Sequence, residues 1–204
     1  MVSVPSSAEK VVVLHVGFDV YAAIVAQGGD RPGPRLAYDG EDLELLSPSK
    51  DHEHYRFLLD LLVNLLGIEW QIDIEGTGSV TLTVEPRGAE PDSSFYVDNE
   101  RFRRDAGVLD PPPDIVVEID LSRERIDKQA IYRAIGVPEF WRYDGHALRA
   151  FALVDGGYVE IANSTKLKGL PIATLAAYLD QRSTTRRPRL IAAWQSWLRA
   201  NRPG

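Results

Sequence analysis

The chain has 204 residues, 44% of them hydrophobic and 26% charged, with 16 Gly and 13 Pro. That suits a soluble globular protein of one domain and excludes a fibrous or disordered one. The absence of cysteine excludes disulfides, thiolate zinc sites, iron–sulfur clusters and a cysteine nucleophile. A net charge of −7 speaks against non-specific nucleic-acid binding, yet residues 1–100 carry 18 acids against 6 bases, and residues 181–204 carry six arginines and no acid.

In chain order, residues 1–10 read as a polar end, with no basic start and long apolar core of a targeting segment, so a cytoplasmic protein is expected. Val11–Val16 is a short strand or a helix lead-in. Asp19–Ala26 has helical spacing and stops at Gly28-Gly29. Tyr38-Asp39-Gly40-Glu41 is a hairpin turn within Leu36–Leu46. Asp51–Leu66 carries a broad leucine stripe, with Ser49 or Asp51 as cap and Gly67 as the expected end. Ile68–Ile74, Gly78–Val84 and Ser93–Val97 read as strands, and Arg101–Pro113 as a polar, Pro-rich connection.

Asp114–Ile119 is a continuous apolar run of the kind buried on both faces of a sheet. Arg123–Ile135 reads as a helix ended by Gly136, followed by strands at Glu139–Tyr143, Leu148–Val154 and Tyr158–Ile161. Helices over Ile172–Leu179 and Leu190–Ala200 close the chain, the last with Trp194 and Trp197 on a stripe that suits either its own core or a partner. The whole is mixed α/β. The boundaries expected are 1–35 for an N-terminal extension with a short helix, 36–180 for the main domain and 181–204 for a basic C-terminal helix.

Several chemistries are missing: there is no Gly-x-Ser-x-Gly, no phosphate-binding Gly-rich loop with Lys-Ser/Thr, and no dinucleotide fingerprint. His52 and His54 match no zinc spacing and read as solvated or capping residues. The carboxylates say more. Glu118 lies inside the apolar run, where an unpaired charge costs several kcal/mol. It calls for a partner: a salt bridge, or a hard divalent cation such as Mg2+ or Mn2+ shared with a second acid. Asp92 follows Pro91 at the head of a β run. Lys128, ten residues past Glu118, either neutralises charge near such a site or is a solvated lysine paired with Glu124.

The ordered set Asp39-Gly40, Glu44–Pro48, Glu53-His54, Pro91-Asp92, Pro113–Ile119, Ser122, Lys128–Tyr132, Gly136–Trp141, Asp144 and Gly169-Leu170-Pro171 resembles the PD-(D/E)XK nuclease superfamily. Within it, the set is similar to the restriction-endonuclease-like proteins called the Uma-two family, over roughly residues 36–180. The resemblance implies a restriction-endonuclease-like mixed central β-sheet flanked by helices, and a Mg2+- or Mn2+-dependent endonuclease that hydrolyses DNA phosphodiester bonds. By it, Asp92 and Glu118 are metal ligands, and Lys128 is the lysine displaced to the following helix. Glu53 is the helix glutamate, with Glu44 second, and Tyr132 faces the site one turn from Lys128.

Two departures stand out. Asp120 occupies the place of the strand lysine on Glu118's face, where it adds a ligand or disturbs the site, and Asp120-Leu121-Ser122 replaces Ser-Pro-Ser. On this reading Arg101, Arg103, Arg104, Arg123, Arg125 and Arg133 would approach DNA, and a homodimer is expected. The alternatives are a catalytically degenerate nuclease-fold module that binds nucleic acid or a protein, and a structural or regulatory oligomer assembled through the C-terminal helix.

Overall fold

The structure is a computed structural model that describes residues 9–28, 33–98, 111–121 and 125–203. Two sheets organise it. The first is antiparallel, in the order β1 (Lys10–His15), β3 (Asp42–Ser47), β2 (Arg35–Tyr38), β6 (Arg87–Ala89), β5 (Leu82–Val84). The second runs β11 (Gly157–Ile161), β10 (Leu148–Val154), β9 (Glu139–Tyr143), β8 (Ile115–Ile119), β7 (Ser93–Val97), β4 (Ile74–Gly76). It is mixed: β8 and β9 are parallel, and the other pairs are antiparallel. The parallel pair needs a crossover, supplied by α3 (Lys128–Ile135).

Strand alternation sorts the core. Ile115, Val117 and Ile119 pack with α2 (Lys50–Trp70), α4 (Ile172–Asp180) and α5 (Arg187–Ala200). Val116 faces the other way, into a cluster with Ala37, Ala89, Ile131, Tyr132 and Phe140. A third cluster seats α1 (Phe18–Gly28) on the first sheet through Tyr21, Leu36, Tyr38 and Leu43. The C-terminal stripe faces the core: Leu190, Trp194 and Leu198 are buried, Trp194 Nε1 donates to Leu62 O, and Trp70 Nε1 donates to Leu198 O, both at 2.9 Å.

Three elements depart from the sequence reading. Helix α2 does not stop at Gly67 but runs to Trp70, so residues 68–70 are helical and only Ile74–Gly76 forms a strand. Gly67 serves close packing: a Cβ there would lie 3.1 Å from both Ile72 O and Ile74 Cδ1. Burial of Trp70 outweighs the ~1 kcal/mol that glycine costs inside a helix, and Gln71 takes the left-handed cap at φ 54°. The strand expected over Gly78–Val84 is confined to Leu82–Val84. The helix expected from Arg123 begins at Lys128, because the Asp127 side chain accepts from Ala130 N and caps it.

Candidate active site

Alternation along β8 also aims Glu118 at α3. Lys128 and Tyr132, one turn apart on α3, both reach it: Lys128 Nζ donates to Oε2 at 2.7 Å, and the Tyr132 hydroxyl donates to Oε1. The lysine is therefore buried in an ion pair rather than solvated. Its Nζ also lies 3.4 Å from Asp120 Oδ1 and 3.9 Å from Glu44 Oε1. Asp120 makes a further ion pair with Arg142 Nε at 3.1 Å.

Asp92 is clamped to β8 on either side of Glu118. Its backbone N–H donates to Val117 O at 3.0 Å, and its Oδ2 accepts from Ile119 N at 2.8 Å. Its Oδ1 accepts from His52 Nε2 at 2.8 Å and lies 3.5 Å from Arg35 Nε. His52 is fully buried in the first turn of α2, and its Nδ1 meets Glu9 Oε1 at 2.7 Å. This corrects the solvated or capping role expected for it; the cap is Ser49, whose hydroxyl accepts from His52 N.

The charges follow from this packing. Burial opposes protonation of His52, but the hydrogen bonds and charges of Asp92 and Glu9 outweigh it and raise the imidazole to about 9. At neutral pH it is an imidazolium donating to both carboxylates. Burial would raise the Asp92 carboxyl, but His52 and then Lys128 bring it below the usual range. Burial pushes the Glu118 carboxyl up; Lys128 opposes the rise, and Asp92 and Asp120 add to it. Burial would lower Lys128, yet Glu118 and Asp120 hold it well above its usual value.

Of the residues expected from sequence, Asp92, Glu118, Lys128, Tyr132, Asp120 and Glu44 come together. Glu53 stands at the edge, with its side chain 40% exposed, pairing with Arg56 at 2.9 Å and approaching Arg35 at 3.8 Å. Arg125 and Arg133 are exposed; Arg101, Arg103, Arg104 and Arg123 lie outside the described residues. Sequence reasoning missed His52, Glu9, Arg35 and Arg142. Among the described residues, no three or more His, Asp or Glu side chains are grouped so as to hold a metal ion.

Residues 19–181 match the family Uma2, described as "Putative restriction endonuclease". The chain belongs to this family. A solved structure from Anabaena variabilis, a putative nuclease of the group DUF820, is similar to this Uma2 chain at 14% identity and a TM-score of 0.52. The match covers 80% of this chain and 99% of that one. The likeness is one of fold, and the Uma2 chain has the restriction-endonuclease-like architecture of a mixed sheet flanked by helices. Among curated proteins no match is found. Among the described residues, no helix is long and apolar enough to cross a membrane.

Proposed function

We propose that this Uma2 protein is a metal-dependent endonuclease that hydrolyses DNA phosphodiester bonds, with Asp92 and Glu118 holding Mg2+ or Mn2+. One observation carries the reading: two buried carboxylates, Asp92 just before β7 and Glu118 on the adjoining β8, with a buried lysine on the second. The donor set fits a hard cation. Each carboxylate has about four lone-pair sites; Asp92 and Glu118 each use two in hydrogen bonds, leaving others for a cation. Burial is the main cause of the raised Glu118, and the neighbouring charges of Asp92 and Asp120 add to it against Lys128, a balance that a bound cation would relieve.

A bound Mg2+ or Mn2+ would polarise the phosphate and lower the pKa of water. The protein's own part is orientation and charge. His52 and Ile119 N–H fix Asp92, while Tyr132 and Lys128 fix Glu118. In the proposed reaction the Lys128 ammonium would also offset charge developing on the phosphate. Glu53 lies 3.8 Å from Arg35, and Glu44 and Asp120 lie 3.9 Å and 3.4 Å from Lys128 Nζ and add to its counter-charge.

The test is nicking of supercoiled plasmid with Mg2+ by the wild type, Asp92→Asn and Glu118→Gln. Nicking is expected only from the wild type; equal nicking by both variants overturns the assignment. The hydrogen bonds already made to both Glu118 oxygens favour a second reading, a nuclease-fold module that binds DNA or a protein without chemistry. Calorimetric titration with Mg2+ separates the two, since the module takes up no metal. A cytoplasmic location and a homodimer are part of the proposal, and gel filtration checks the dimer.

A further inference from the structure

The arginines expected to approach DNA flank the site in sequence, but another group flanks it in space. Asp120 N–H donates to Tyr143 O at 2.8 Å on β9. The Tyr143 ring packs against Tyr55 of α2, centroids 4.8 Å apart. The Arg182 guanidinium covers Tyr55, 4.3 Å from its ring centroid, and pairs with Asp51. From Arg182 the chain enters α5, where Arg186, Arg187 and Arg189 are exposed. Arg187 lies 5.0 Å from the centroid of Phe57, itself 49% exposed. A basic, aromatic-backed surface thus runs from the first turns of α2, which also carry the His52 that holds Asp92, to the start of α5.

Local stability does not explain that run. Cations in the first turn of a helix oppose its dipole, and α5 begins with Arg186 as its N-cap and no side-chain cap bond. Among the described residues, no carboxylate pairs with Arg186, Arg187 or Arg189, whereas Arg199 at the far end of α5 pairs with Glu69. A sequence that breaks a local rule on an exposed surface points to an external partner. Anionic sugar–phosphate backbone, met by arginines held over aromatic rings, fits the charge and the chemistry.

We infer that Arg182, Arg186, Arg187 and Arg189 form the nucleic-acid track that carries DNA backbone to the site. This rests on the endonuclease reading above. It also explains how a chain of net charge −7 holds DNA: the contact is local.

The experiment measures binding of a fluorescent duplex oligonucleotide by the full chain without divalent ions, over a range of salt. It compares the wild type with the Arg186→Gln/Arg187→Gln/Arg189→Gln triple variant and an Arg199→Gln/Arg202→Gln control. The triple variant is expected to flatten the log–log salt slope by about 2–3, near 0.9 per lost phosphate contact. Its KM for plasmid nicking should rise with kcat unchanged, its melting temperature should not fall, and the control should keep the wild-type slope. A triple variant with the wild-type slope overturns the track while leaving DNA binding intact. An equal loss in the control reduces the effect to bulk charge and also overturns it. Binding of wild type to anionic phosphatidylglycerol vesicles, lost in the triple variant while the DNA slope is unchanged, assigns the surface to a membrane. A wild type that binds no DNA defeats the endonuclease reading itself.

Discussion

Glu118 and Glu139 sit on adjacent parallel strands, β8 and β9, and both are buried. Their surroundings differ. Glu139 accepts only from neutral groups: Trp141 Nε1, the Ser164 and Thr165 hydroxyls, and the Thr165 and Lys166 backbone N–H. These donors mostly belong to one segment, which the carboxylate pins beneath the sheet. Glu118 faces a lysine and a tyrosine and is crowded by Asp92 and Asp120. A carboxylate among fixed neutral dipoles holds structure. One among ionised side chains can exchange its partners for a cation, which is what a reaction centre requires.

Substitutions that remove charge while keeping shape break or sharpen this contrast. The largest effect is expected on activity. Glu118→Gln should lower Mg2+-dependent nicking on the order of 10²–10³-fold, the range seen when one preorganised electrostatic group is lost. Lys128→Met should lower nicking and also destabilise the fold by about 3–5 kcal/mol, because a buried carboxylate loses its counter-charge. A thermal melt that leaves Lys128→Met at the wild-type temperature would mean that Glu118 is already neutral.

Glu139→Gln should act the other way, on stability first. Its amide must point donors at the donors of Ser164, Thr165 and Lys166, or leave them unpaired, at a cost of about 1–3 kcal/mol. For a chain of this size each kcal/mol lowers the melting temperature by roughly 2–4 °C. If Glu139→Gln instead abolished nicking without changing the melt, the contrast would fail.

The smallest effect belongs to a turn. Backbone N–H bonds from Ala147, then His146, hold Asp144 below the usual carboxylate range. The folded state therefore binds its proton less readily than the unfolded chain, and the stability it adds is present at neutral pH and lost as pH falls through its folded value. Asp144→Ala should lower the melting temperature slightly at pH 7, and a pH series should show the gap closing in acid.

Much of this was legible locally. The uninterrupted apolar run of β8 marks a strand buried on both faces, and Glu118 within it demands a partner. The i, i+4 spacing of Lys128 and Tyr132 on α3 puts both on one side. The Asp39-Gly40 turn and the Ser49 cap act within a few residues, so short patterns contain them. Gly67 misled because a helix-stop signal and a close-packing requirement look alike in sequence, and only the returning residues Ile72 and Ile74 distinguish them.

His52 was illegible for a similar reason. Nothing around it says that Asp92, 40 residues on, and Glu9, 43 residues back, will meet it in the first turn of α2. Sequence by itself determined the long strands from β7 to β11, the turns, the buried acid and the helix that answers it, because periodicity and capping are local physics; the short strands β4 to β6 it misplaced or missed. Tertiary structure alone decided which charges share the buried space around Asp92 and which arginines border it, because burial, and with it the cost of an unpaired charge, depends on what distant segments bring.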